Sequence, residues 1–103
     1  MSQKIGTFTK QNDGRFRGSI NTLTLRGTVD IVPVDLPGEN TPDFRVYTRG
    51  GEIGAAWTKT ARASDQPYLS VKIDDPSLPA PIFCRLVELV DQGQAAHALF
   101  WSR

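Results

Sequence analysis

The chain is predicted to be all-β: a small single-domain antiparallel barrel, or a strongly coiled sheet, of about eight strands built from hairpins. Three observations predict it. Short segments alternate with a period of two, glycine-bearing turns separate them, and no segment carries the 3.6-residue spacing of an amphipathic helix. The alternation is clearest in Phe44-Arg-Val-Tyr-Thr-Arg49, where Phe44, Val46 and Thr48 share one face and Arg45, Tyr47 and Arg49 the other. It recurs in Tyr68-Leu-Ser-Val-Lys-Ile73, which sets Leu69, Val71 and Ile73 against Tyr68, Ser70 and Lys72.

Taken in order, residues 4–10 form a first strand, with Ile5, Thr7 and Thr9 on one face and Phe8 on the other. Gln11-Asn-Asp-Gly14 is a hairpin turn, because Asp-Gly accepts the positive φ that such turns need. Residues 15–22 return, placing Phe16, Gly18 and Ile20 opposite Arg15, Arg17, Ser19 and Asn21. Residues 23–34 continue with a bulge or kink at Gly27, and Pro33, lacking an N–H, marks an edge or an end. Residues 35–42 are a surface loop. The next hairpin turns at Arg49-Gly-Gly-Glu52, and its return strand sets Ile53, Ala55, Trp57 and Lys59 against the small Gly54, Ala56 and Thr58. That small face permits close approach of a backbone or a ligand ring, which leaves open whether Trp57 is core or exposed. Residues 74–81 hold three prolines and read as a rigid connection crossing from one part of a sheet to another. A last hairpin pairs residues 82–90 with residues 95–101 around Asp91-Gln-Gly93.

With 103 residues the chain is one domain, residues 1–103, that buries roughly 65% of its unfolded surface. Its apolar runs are too short for a membrane helix, and Met1-Ser-Gln-Lys-Ile-Gly6 lacks the apolar core of a signal peptide, so a cytoplasmic protein with no membrane partner is expected. Cys84 is the sole cysteine, which excludes a disulfide or thiolate metal cluster within one chain. It reads as a small buried apolar side chain, and the sole histidine, His97, as structural or solvated.

Net charge is only +1, but its placement is informative. Arg15, Arg17, Arg45, Arg49, Lys59, Lys72 and Arg85 fall in predicted strands, whereas among the carboxylates only Asp30 and Glu88 do. One sheet face is therefore expected to be locally basic; the competing reading is that Asp favours turns and that strand cations only guard against aggregation.

Catalysis finds little to work with. Asp74 and Asp75 precede Pro76 at a strand end, where Asp caps turns through its own side chain. Arg49-Gly-Gly-Glu52 lacks the strand, loop and helix setting of a phosphate cradle, and one histidine with scattered serines makes no nucleophile constellation. A non-enzymatic protein without cofactor or metal is expected. Arg15, Arg17, Arg45, Tyr47, Arg49, Trp57, Lys59, Tyr68 and Lys72 form the expected binding set, cations for phosphates and rings for stacked bases, with single-stranded DNA the first partner and duplex DNA the second. The same residue types make protein-interface hot spots, so a protein partner is the alternative, and an edge strand offers a route to a homodimer.

The ordered set Ile5-Gly-Thr-Phe8, Asp43-Phe-Arg-Val46, Gly54-Ala-Ala-Trp-Thr-Lys-Thr60, Tyr68-Leu-Ser-Val-Lys-Ile-Asp-Asp-Pro76, Pro79-Ala-Pro-Ile82 and Trp101-Ser-Arg103 resembles the bacterial domain of unknown function family 736 over nearly the whole chain. The resemblance implies a small bacterial protein commonly encoded on plasmids and integrative conjugative elements, among transfer and antirestriction genes. It points toward handling DNA or interfering with host defence, and it carries over no catalytic residue. The chain departs from the family pattern at Thr60-Ala-Arg-Ala-Ser-Asp-Gln-Pro67, which stands where a more basic, glycine-containing turn is usual; if that tip touched nucleic acid, contact here would be weaker.

Overall fold

The computed structural model describes every residue except Met1, Thr24, Leu25, residues 36–40, Gly50, Ser64, Ser77, Gln92, Gly93 and Arg103, with the side chains of Ser2, Val90, Asp91, Gln94, Ala95 and Ser102 also left aside. The described residues form eight strands: β1 (Ser2–Lys10), β2 (Phe16–Asn21), β3 (Arg26–Pro33), β4 (Phe44–Thr48), β5 (Gly51–Thr60), β6 (Pro67–Ile73), β7 (Ile82–Asp91) and β8 (Gln94–Ser102). Each pairs antiparallel with the next, and β8 returns to β1 to close a barrel. Of the two expected architectures the barrel is the one found. Closure pairs every strand with a neighbour on each side.

An eight-stranded barrel is just wide enough to be filled by side chains. Phe8, Ile31, Val46, Val71, Leu86 and Leu99 fill it, each under 2% exposed. Alternation supplies most of them, and two bulges correct its phase. In β1 the register against β8 slips between Lys4 and Gly6, so Ile5 and Phe8 both turn inward while Thr7 and Thr9 face water. Strict alternation had set Ile5 beside Thr7. In β5 the pairing with β4 slips between Glu52 and Gly54, so Ile53 packs against the core while Ala55 and Trp57 keep the outer phase.

Two glycines let the wall bend tightly. A Cβ on Gly18 would collide with the Thr7 carbonyl and the Phe8 backbone, and one on Gly54 with the Lys72 carbonyl. On that small face, Gly54 gives room to a neighbouring backbone. Gly27 makes no such approach, with open space where its Cβ would stand.

The first turn closes as expected: Gly14 takes φ 91° and the Gln11 N–H donates to the Arg15 carbonyl at 2.6 Å. β3 ends at Pro33. Asp43 clamps the return into β4, its N–H donating to Ala56 O at 3.0 Å and its carboxylate accepting the Thr58 N–H at 2.8 Å. The proline-rich segment does not cross the sheet, since β6 and β7 are direct neighbours; it folds Leu78 back onto the core instead. The Asp91-Gln-Gly93 turn lies partly outside the described residues, as does Gly50 of the other predicted tight turn.

Candidate nucleic-acid interface

Cross-strand register determines which outward side chains stand together. One row across the wall is Arg45 on β4, Ala55 on β5, Lys72 on β6 and Phe83 on β7. The next is Trp57, Ser70, Arg85 and Phe100, continuing to Lys4 on β1. Beside it Lys59 pairs with Tyr68. Phe83 is 60% exposed, Lys59 and Arg85 are exposed, and Trp57, Tyr68, Lys72 and Phe100 are half-buried. Trp57 therefore belongs to the outer wall, its neighbour Ala56 supplying the core side of β5. The Arg85 guanidinium lies 5.9 Å from the centre of the Tyr68 ring, within cation–π range.

The structure divides the nine predicted binding residues. Trp57, Lys59, Tyr68 and Lys72 converge on the β5–β6 wall, with Arg45 and Tyr47 on adjoining β4. Arg15 and Arg17 lie on the β2 side, and Arg49 follows β4 at one barrel mouth, beside Ile53 and Ile73. Charge pairing sharpens the division. Arg15 Nε meets Asp13 at 2.7 Å, Arg17 Nε meets Asp30 at 3.1 Å and Arg45 Nη1 meets Glu52 at 3.1 Å. Asp13 also accepts the Arg15 backbone N–H, which, ahead of the guanidinium, holds its carboxyl below the usual aspartate value. Glu52, assigned to a turn by the sequence pattern, lies second in β5 instead. Among the described residues no carboxylate pairs with Lys59, Lys72 or Arg85.

Phe83, Arg85, Phe100 and Lys4 were missing from the predicted set. The first two were legible: buried Cys84 and Leu86 fix the β7 phase and put Phe83 and Arg85 outside.

Burial pushes the Cys84 thiol up to about 11. His97 is buried, and that burial, with Lys10 nearby, lowers its pKa against the opposing pull of Glu88. Among the described residues no three His, Cys, Asp or Glu side chains gather to hold a metal, and no helix is long and apolar enough to cross a membrane.

No curated protein and no solved structure matches the chain. A family model does, over residues 4–103; the chain belongs to the family described as Protein of unknown function (DUF736).

Proposed function

We propose that the β5–β8 wall binds single-stranded nucleic acid and that the protein acts by binding, not by catalysis. One observation carries the reading: Lys59, Lys72 and Arg85, without carboxylate partners among the described residues, interleave with Trp57, Tyr68, Phe83 and Phe100 on one wall. Cations track the phosphates and rings stack on bases, each stacked base contributing roughly 1–3 kcal/mol regardless of sequence. A single strand suits a convex barrel wall because its bases splay onto the rings, whereas a duplex keeps them stacked inside. In this reading the protein is a cytoplasmic nucleic-acid-binding accessory of a mobile element, one of the roles toward which its family resemblance points.

The test is fluorescence anisotropy with labelled single-stranded and duplex oligonucleotides. Three phosphate contacts on a single strand imply a log–log salt slope of about −2, so affinity should fall roughly twentyfold between about 50 and about 200 mM salt. Absence of single-strand binding at the lower salt overturns the proposal.

A second reading, a protein partner, draws on Phe83 and Leu89, outward apolar side chains 60% and 40% exposed. An adaptor of a transfer complex or an inhibitor of a host defence complex would use them as anchors. Its affinity would respond weakly to salt, and pull-down would recover a partner resistant to nuclease.

A further inference from the structure

The β3–β4 ladder is shorter than β3 itself. It runs from Pro33 opposite Phe44 to Asp30 opposite Tyr47 and stops there, while the other flank of β3 stays paired with β2 down to Arg26. The stretch from Arg26 to Val29 therefore has a paired neighbour on one side only. The Val34 N–H donates to Asp43 O and neither ladder of β3 is bulged, so alternation turns the backbones of Val32, Asp30, Thr28 and Arg26 toward β4. For Arg26 and Thr28, no backbone group among the described residues receives them. A recess of about 290 Å³ opens at this seam and a second lies beside it, with Thr28, Thr48 and Arg49 lining both.

The side chains around the seam define what fits it. Ile20, Val29, Ile53 and Ile73 line the first recess, and Arg26 and Arg49, which also line it, are exposed. Among the described residues neither guanidinium pairs with a carboxylate: Asp30 is engaged by Arg17, and Asp75, which also lines the recess, makes no ion pair with either. Leu23, 98% exposed between β2 and β3, adds an apolar side chain at the same end of the barrel. An unpaired flank is a template for another strand. An extended segment laid on it turns successive side chains to opposite faces, so an apolar residue can meet the isoleucines while its neighbours meet the arginines.

We propose that this seam takes an extended acidic segment of a partner protein by strand addition. The segment hydrogen-bonds with the backbones of Arg26 and Thr28, seats an apolar side chain over Ile20, Val29, Ile53 and Ile73, and sets carboxylates against Arg26 and Arg49. Main-chain bonds give the affinity, and the alternating side chains give the selectivity. A second copy of this chain fits less well, because it would bring the same arginines face to face. The seam is separate from the β5–β8 wall, so the inference does not rest on nucleic-acid binding.

The probe is a heptapeptide that alternates glutamate and valine, followed by NMR of the backbone amides. At millimolar concentration it should shift the Arg26 and Thr28 amides and slow hydrogen exchange at Thr28 about tenfold. The same peptide N-methylated throughout keeps the charges and loses every ladder donor, so it should bind at least tenfold more weakly. A lysine–valine counterpart should not bind. Arg26→Ala/Arg49→Ala should weaken binding about tenfold, and Thr28→Pro, which removes an N–H that β2 does not use, should abolish it while leaving the urea midpoint nearly unchanged. Lys72→Ala/Arg85→Ala should leave the peptide shifts intact. The inference is overturned if the peptide at about 5 mM leaves the Arg26 and Thr28 amides unmoved, or if the N-methylated form binds as well as the parent, which would mean an anion resting on the arginines. It is overturned equally if the Thr28 amide is protected in the free protein and loses that protection on dilution, which would assign the seam to a second copy.

Discussion

The two sides of this barrel carry similar numbers of cations and differ in what those cations face. On β2–β4, Arg17 sits directly across from Asp30 and Arg45 reaches Glu52, so these two charges are met inside the protein. On β5–β8, Lys59, Lys72 and Arg85 stand among rings, and the Arg85 guanidinium lies over Tyr68. A net charge of +1 conceals this, because the sum is near zero while one wall is locally basic. Counting strand cations does not locate a binding face; their cross-strand neighbours do.

The most damaging way to break the comparison is to disturb the backbone that both walls share. Gly54→Ala forces a Cβ into the Lys72 carbonyl, and Gly18→Ala forces one into Thr7 and Phe8. Each should cost about 3 kcal/mol, read as a lowered urea midpoint, because backbone collisions relax less readily than side-chain overpacking. Gly27→Ala, where nothing stands within 4 Å, serves as the control and should change stability little.

Next in size is removal of the rings from one wall. Trp57→Ala/Phe83→Ala should weaken single-strand binding by roughly two orders of magnitude, as expected for two stacked bases, while the urea midpoint moves far less than in the glycine variants.

A smaller effect concerns neither wall and isolates His97. The folded barrel lowers the His97 pKa below its unfolded value of about 6.5, so the native state favours the neutral ring. Its contribution to stability is therefore complete above that value and is lost as pH falls from it toward the folded pKa. Urea midpoints at pH 7.5 and 5.5 should show this loss, and His97→Phe should reduce it. The groups that tune the slope are Glu88, which opposes the shift, and Lys10, which adds to burial.

The smallest signal is chemical. Native Cys84, buried and with its thiol pushed up to about 11, should label negligibly with a thiol reagent at pH 8 and completely once urea unfolds the barrel. Rapid labelling in the native state would show that the β7 wall opens.

The fold was legible wherever strands keep period two. Leu69, Val71 and Ile73 are buried as β6 alternation requires, and the Asp13-Gly14 turn forms where its chemistry places it. Alternation failed at Ile5 and Ile53, because a bulge is a relation between two strands and one strand's sequence does not encode its partner's register. The binding set was legible in part for the same reason. Residue types marked Trp57, Lys59, Tyr68 and Lys72, but the ion pairs that remove Arg17 and Arg45 join residues 13 and 7 positions apart through the sheet. Phe100 joined the wall through its pairing with Arg85, and Lys4 only when β8 paired with β1.

The most direct test of the central claim sets one wall against the other. Lys72→Ala/Arg85→Ala and Arg15→Ala/Arg17→Ala each remove two cations, so they alter net charge equally and separate location from total. Measured by anisotropy against a labelled single strand at about 50 mM salt, the first pair should weaken binding about tenfold and flatten the log–log salt slope by about 1.4. The second should change affinity less than about twofold and stability by less than about 1 kcal/mol, as exposed ion pairs do. Equal losses from the two variants would mean that the strand responds to total charge, and the claim of a single binding wall would be wrong.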